Sequence, residues 1–322
     1  MATKRAGTLI VTAVVVASIA LCNTGAAAVQ LQLKLDKGKT YYQKMVMDQK
    51  ITQTVMGQVQ AFDQGMGAGW KLQVLNVDAQ GNMRIQYTYI WSRYKSTNPM
   101  STVDYDSARQ KSVPAGGEGF VALLDQGYVI ELSPQGKVLK MEGMKEFRDA
   151  VLKKLPAGME GGPGMQVLGP FLEEKGISEM IEGALQVYPD RPVEAGDSWT
   201  ERTTLTMGFQ VNVESKWTLQ KLEAGVATIS ESSSIQSDPK GPPMDAGGMK
   251  LKFEGSGTQE GTIVIDEKTG LITSSKSGQQ IKGEIKLGAS AEGPFDVMAI
   301  PVAFDTQVTS EMSDKMWKTD AQ

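Results

Sequence analysis

The chain has 322 residues, with 33 basic and 37 acidic side chains, a single cysteine and no histidine. Without histidine there is no Ser-His-Asp or Cys-His site and no ordinary zinc or haem site, and a net charge of −4 argues against nucleic acid or an anionic membrane as an electrostatic partner. A hydrophobic content of 40% with 35 glycines suits a β-rich globular chain rather than a disordered one.

Residues 1–28 read as a signal peptide, to be set aside from the fold. Lys4 and Arg5 open it, Leu9 to Leu21 is nearly all apolar, and Ala26-Ala27-Ala28 supplies the small residues for cleavage after Ala28. The apolar run is too short for a permanent membrane helix, which needs about 20 residues. The mature chain is therefore expected in the periplasm or outside the cell, and not spanning a membrane. Cys22 follows Leu21, where a lipoprotein box wants a small residue, which speaks against lipidation. Cleavage takes the net charge from −4 to −6 by removing Lys4 and Arg5, and leaves no thiol for a disulfide.

From residue 29 the pattern is β. Leu31, Leu33 and Leu35 alternate with polar residues, Asp36-Lys37-Gly38-Lys39 turns the chain, and Tyr42 to Val55 continues with a period of two. Gly65-Met66-Gly67-Ala68-Gly69 reads as a loop, and its spacing is wrong for a dinucleotide fingerprint. A strand from Trp70, a turn at Asp78-Ala79-Gln80-Gly81 and a return strand through Met83, Ile85, Tyr87 and Tyr89 follow; residues 97–119 read as loop. A hairpin at 127–143 closes this first half: Tyr128, Ile130 and Leu132 alternate, and Ser133-Pro134-Gln135-Gly136 makes the turn.

Two helical patterns come next. Met144, Phe147, Val151 and Leu155 share one helix face, with Pro156 as the stop; Ile177, Met180, Ile181 and Ala184 share another within 171–187, weakened by Gly176 and Gly183. From 191 strands return, and four markers repeat in order: Gly38-Lys39-Thr40-Tyr41 as Gly196-Asp197-Ser198-Trp199, Trp70-Lys71-Leu72-Gln73 as Trp217-Thr218-Leu219-Gln220, Gly81 with Ile85 as Gly225 with Ile229, and the hairpin at 127–143 as that at 261–273. Residues 239–248 read as a second Pro/Gly-rich loop, 301–312 as the closing strand, and the tail after Lys315 as frayed.

The remaining chemistry is thin. There is no Gly-x-Ser-x-Gly elbow and no phosphate-cradling glycine loop. Asp104-Tyr105-Asp106-Ser107 lacks the glycine and further oxygens of a calcium loop and reads as a solvated turn. Ser274 and Lys276 fit a polar strand surface. The 18 methionines are scattered rather than clustered as a copper site would want, and fit irregular apolar packing or an adaptable apolar lining. No catalytic, cofactor or metal residue is therefore assigned.

The segments 33–42 (LKLDKGKTYY), 135–143 (QGKVLKMEG) and 188–199 (YPDRPVEAGDSW) carry a resemblance, over nearly all of the mature chain, to a family of uncharacterised bacterial exported proteins classed as a domain of unknown function. It implies no activity. At fold level the chain is also similar to periplasmic lipoprotein carriers and related lipid-binding proteins, in which a curved antiparallel sheet wraps around helices. The expectation is an α+β fold, mostly antiparallel β, with two duplicated meander halves (29–143 and 191–322) joined by a helical connector (144–190). Its expected role is a non-enzymatic binding module, with Phe147, Val151, Leu155, Met180 and Ile181 covering an apolar or lipid-holding cavity. The competing reading of those five is ordinary core. An envelope protein–protein interaction module without a cavity and a hydrolase using two carboxylates are the alternatives.

Overall fold

The computed structural model describes residues 28–98, 101–114, 117–156, 168–207, 209–246, 249–288 and 298–317. The expected leader up to Ala27, Cys22 with it, and residues 157–167 lie outside them.

The described residues form one 13-stranded antiparallel sheet with a few short helices. The first half contributes β1 (Thr40–Val55), β2 (Gln58–Val77), β3 (Met83–Asn98), β4 (Ser101–Asp106), β5 (Gly127–Leu132) and β6 (Val138–Glu142). The second contributes β7 (Ser198–Met207), β8 (Phe209–Glu223), β9 (Val226–Ser237), β10 (Met244–Ala246), β11 (Met249–Asp266), β12 (Ile272–Gly288) and β13 (Met298–Ser313). The order across the sheet is β6-β5-β3-β2-β1-β13-β12-β11-β9-β8-β7, with β4 beside β3 and β10 beside β11. Two meanders are thus joined by the antiparallel pairing of the first long strand with the last.

Helices α1 (Glu118–Ala122), α2 (Met144–Lys154) and α3 (Glu174–Leu185) complete the structure, with a 3-10 turn at Gly169–Leu172. Phe147 and Val151 on α2 are fully buried against the sheet, where Phe147 stacks on Tyr89 and meets Tyr128 edge-on at 5.1 Å. Gly176, which weakens α3 by propensity, is explained by packing: a Cβ there would strike the Pro170 carbonyl of the 3-10 turn. Helix α3 packs against both edge strands of the sheet, β6 and β7. Glu182 accepts a hydrogen bond from the Val138 amide of β6 at 2.8 Å, which caps an edge that would otherwise be free to pair. Gly183 faces Leu205 of β7.

Three expectations are corrected here. The Gly65–Gly69 segment is the middle of β2, not a loop. A Cβ at Gly67 would lie 2.6 Å from the Trp91 ring and one at Gly69 2.5 Å from Trp317, so these glycines admit indole rings onto the strand rather than bend it. The loops expected at 97–119 and 239–248 contain β4 and β10, short strands that each borrow a long neighbour. Beyond Lys315, Trp317 is packed edge-on to Trp91 with the Lys44 ammonium over the Trp91 ring.

Some turn and register features recur in the two halves. Gly38 donates to the Val74 carbonyl while the Val74 amide donates to Lys39; Gly196 and Leu219 do the same with Asp197. The register slips between Val74 and Asn76 in one half and between Leu219 and Lys221 in the other. Both turn hairpins carry a slip before the last paired residue of the first strand, at Glu131/Leu132 and Val264/Ile265. This register puts Trp217 opposite Trp199, in the place Leu72 holds opposite Tyr41, so the two tryptophan echoes are offset by two residues along the strand.

Both hairpin turns grip the same extended segment. The Leu33 amide donates to Pro134 and the Lys34 amide to Thr269, while Leu31, Leu33 and Leu35 are buried. Val29 exchanges two backbone hydrogen bonds with Val193. Residues 29–35 are therefore a strap across one end of the sheet.

Candidate functional site

A cavity of about 260 Å³ lies between the concave sheet, the strap and α3. Its apolar wall is built from both halves: Leu72, Ile85, Tyr87 and Leu132 from the first, Trp217, Ile263, Leu271 and Ile272 from the second. Leu33 and Leu35 close it from the strap, and Ile181, Leu185 and Tyr188 from the helix and the residues after it. The alternation of each strand sends these side chains to one face, and the pairing of β1 with β13 brings the faces together.

Along the strands the wall changes character in rows. Leu219, Ile229, Ile263, Ser275, Ser310 and Met45 are consecutive cross-strand partners; two residues further along come Trp217, Glu231, Gly261, Ser277, Val308 and Met47. The third row is polar throughout: Ser215, Ser233, Gln259, Gln279, Thr306 and Gln49. Its groups bond to one another. Gln49 donates to Thr306 at 2.9 Å, Gln279 to Gln259 at 3.3 Å, and the Ser233 and Ser215 hydroxyls are 2.8 Å apart. Above it the row turns apolar again with Ile235, Ile281, Phe304 and Ile51. The cavity thus has an apolar body and a hydrogen-bonded polar end where Glu231 and Gln259 meet it.

Of the five residues expected to cover a cavity, Ile181 borders this one. Phe147 and Val151 belong to the core cluster and Leu155 packs against it, while Met180 is half-buried on α3 outside the lining. Ala28, the expected cleavage residue, is exposed immediately before Val29. Sequence reasoning missed the polar row. Its residues alternate with polar neighbours on the other face, as in Thr258-Gln259-Glu260, so inward and outward positions look alike.

Burial pushes the Tyr87 and Tyr188 phenols well above their ordinary value of 10.0, and the Tyr188 hydroxyl donates to the Gly270 carbonyl at 2.6 Å. The folded state holds the neutral phenol where the unfolded chain would ionise. Stability is therefore full below the unfolded value and falls as pH rises past it. Urea midpoints should stay level from about pH 7 to 9 and drop from about pH 10 upward; a level profile through pH 11 would contradict this burial.

Among the described residues no three His, Cys, Asp or Glu side chains cluster as a metal site would need, and no helix is long and apolar enough to cross a membrane.

A model of DUF6263, a family of unknown function, matches residues 80–272. The chain belongs to this family. No curated protein matches it. Among solved structures, a lipovitellin described for its lipid–protein interactions aligns with 89% of the chain at 9% identity and a TM-score of 0.49. The chain spans only 26% of that lipovitellin chain. A DUF1329 family protein from Desulfovibrio piger aligns at 8% identity over 89% of each chain, with a TM-score of 0.13. An outer membrane channel from Pseudomonas putida aligns at 6% identity over 88% of this chain and 98% of its own, with a TM-score of 0.21. The DUF6263 segment runs from the turn before β3 to the start of β12 and so includes α3 and most of the second-half wall.

Proposed function

We propose that this DUF6263 member is an exported, non-enzymatic binding module that holds an apolar or amphipathic small molecule between the sheet and α3. The observation that carries the reading is the apolar cavity of about 260 Å³, whose wall draws on the sheet, the strap and the helix at once. It lies just under the roughly 300–1,000 Å³ of sites for drug-sized ligands, enough for a single slender chain or a small ring system. Glu231 is the one acid among the described lining residues, so a two-carboxylate hydrolysis has no second acid here. Export rests on the charged, apolar and small-residue order of residues 1–28. Cleavage after Ala28 keeps both hydrogen bonds that Val29 makes to Val193. Duplication of one meander, supported by the matching turns and register slips, accounts for a cavity walled by equivalent strands of both halves.

Native mass spectrometry of the protein purified from its own envelope tests this directly. The expected mass begins at Val29 and carries a stoichiometric apolar adduct. Ile181→Trp, which fills the cavity with a larger apolar ring, should remove the adduct while costing no more than about 1–3 kcal/mol of unfolding free energy. A bare polypeptide mass, with no uptake of a neutral fluorescent probe, would sink the binding reading. It would favour an envelope interaction protein, for which Met56 and Val59 at the β1–β2 tip are the most exposed large apolar side chains among the described residues.

A further inference from the structure

The polar end of the cavity has a direction. Gln279 donates its amide to the Gln259 side-chain oxygen, and Gln259 in turn donates to Glu231 Oε1 at 2.7 Å. Ser233 donates to the same oxygen at 2.9 Å. The relay runs toward Glu231 and ends there, because a carboxylate can only accept. Its other oxygen, Oε2, leans over Gly261 on the neighbouring strand. A Cβ there would lie 3.2 Å from it, so glycine leaves the carboxylate room to lie against the wall. Ser277 flanks it on the next strand beyond Gly261, and both Glu231 and Ser277 border the cavity. Lys276 also borders it, but stands between Ser275 and Ser277 and is exposed, so the strand's alternation turns its ammonium to the opposite face. What the cavity offers an occupant at this end is a negative, hydrogen-bond-accepting group above an apolar body.

We infer that the occupant is an amphiphile whose polar end donates hydrogen bonds, an ammonium or a hydroxyl, and that carboxylate- or phosphate-headed lipids are excluded. This rests on the binding reading above. An anionic head placed at Glu231 meets a like charge in a partly desolvated wall, and one of the two N–H groups of the nearest amide, Gln259, is already committed to that carboxylate. An ammonium or hydroxyl meets a fixed acceptor, the stronger pairing being the charged one. The apolar body then lies against Ile263, Trp217 and Leu72.

The test uses the mature protein loaded with a neutral environment-sensitive probe, N-phenyl-1-naphthylamine, and displaces it with dodecylamine, dodecanol and laurate below their aggregation concentrations. Dodecylamine should compete best, dodecanol next and laurate worst. Glu231→Gln keeps the shape and the acceptor while removing the charge. It should weaken dodecylamine by roughly tenfold or more relative to dodecanol and bring laurate closer to both. Equal competition by all three, or laurate winning, overturns the head-group assignment while the probe's own uptake keeps the binding reading intact. Because this ranking is measured on the unaltered chain, it decides the matter even if the variant does not fold. No uptake of the probe overturns both readings.

Discussion

Gly270→Ala should destabilise the fold severely, well beyond a typical point substitution. Gly270 closes the β11–β12 turn at φ +67°, where a side chain is strained whatever surrounds it, and a Cβ there would land on the Gln32 carbonyl of the strap. Neither group can yield cheaply. The Gly270 carbonyl accepts from Tyr188, its amide donates to Asp266, and the adjoining Thr269 carbonyl accepts from Lys34. The left-handed backbone alone costs about 1–2 kcal/mol. Displacing the strap adds the exposure of Leu31 and Leu33, so the total should exceed about 4 kcal/mol, against a stability of about 5–15 kcal/mol for a typical domain. Gly38 is the internal control. It has φ +83° but nothing within 4 Å of its Cβ position, so Gly38→Ala should cost only the backbone share of about 1–2 kcal/mol. Comparable urea midpoints for the two variants would show that the turn does not hold the strap.

Phe147→Ala should destabilise by about 3–5 kcal/mol, read as a lower urea midpoint at unchanged slope. The ring is 2% exposed and sits between Tyr89 and Tyr128, which in turn meet Trp70 and Tyr87. Removing it opens a void that stacked rings on a rigid sheet cannot collapse to fill. Leu155→Ala, at the half-buried end of the same helix face, should cost clearly less. A loss below about 1 kcal/mol for Phe147→Ala would mean that α2 is not docked where the aromatic cluster places it.

Helix α2 also marks what could be read without coordinates. Phe147 and Val151 were visible because helical spacing and a proline stop are local signals. The hairpin turns were visible because proline fixes φ and glycine readily takes the left-handed conformation that Gly136 and Gly270 adopt. The length of β2 was hidden, because glycine in a strand and glycine in a loop look alike until the tryptophan that lies on it is known, and Trp317 comes from the far end of the chain. The cavity's polar row was hidden for a related reason. Gln259, Gln279 and Thr306 face inward only by virtue of a register set by pairing between distant strands. The helix face was legible, but which helix closes the cavity was not. That depends on α3 touching both edges of the sheet, a property of the assembled fold rather than of residues 174–185.

The central pairing, with Tyr42 opposite Ser313 and Gln53 opposite Val302, makes the joining of the two meanders conditional on β13. A chain delivered from its N-terminus can form each meander as it emerges, but β1 and β12 remain open edges until the final strand arrives between them. Closing so long a loop is entropically costly and slow. Until it closes, two long unpaired edges invite association with other chains. A copy stopped short of β13 would keep nearly every local element among the described residues and still lack the seam that makes one sheet of two.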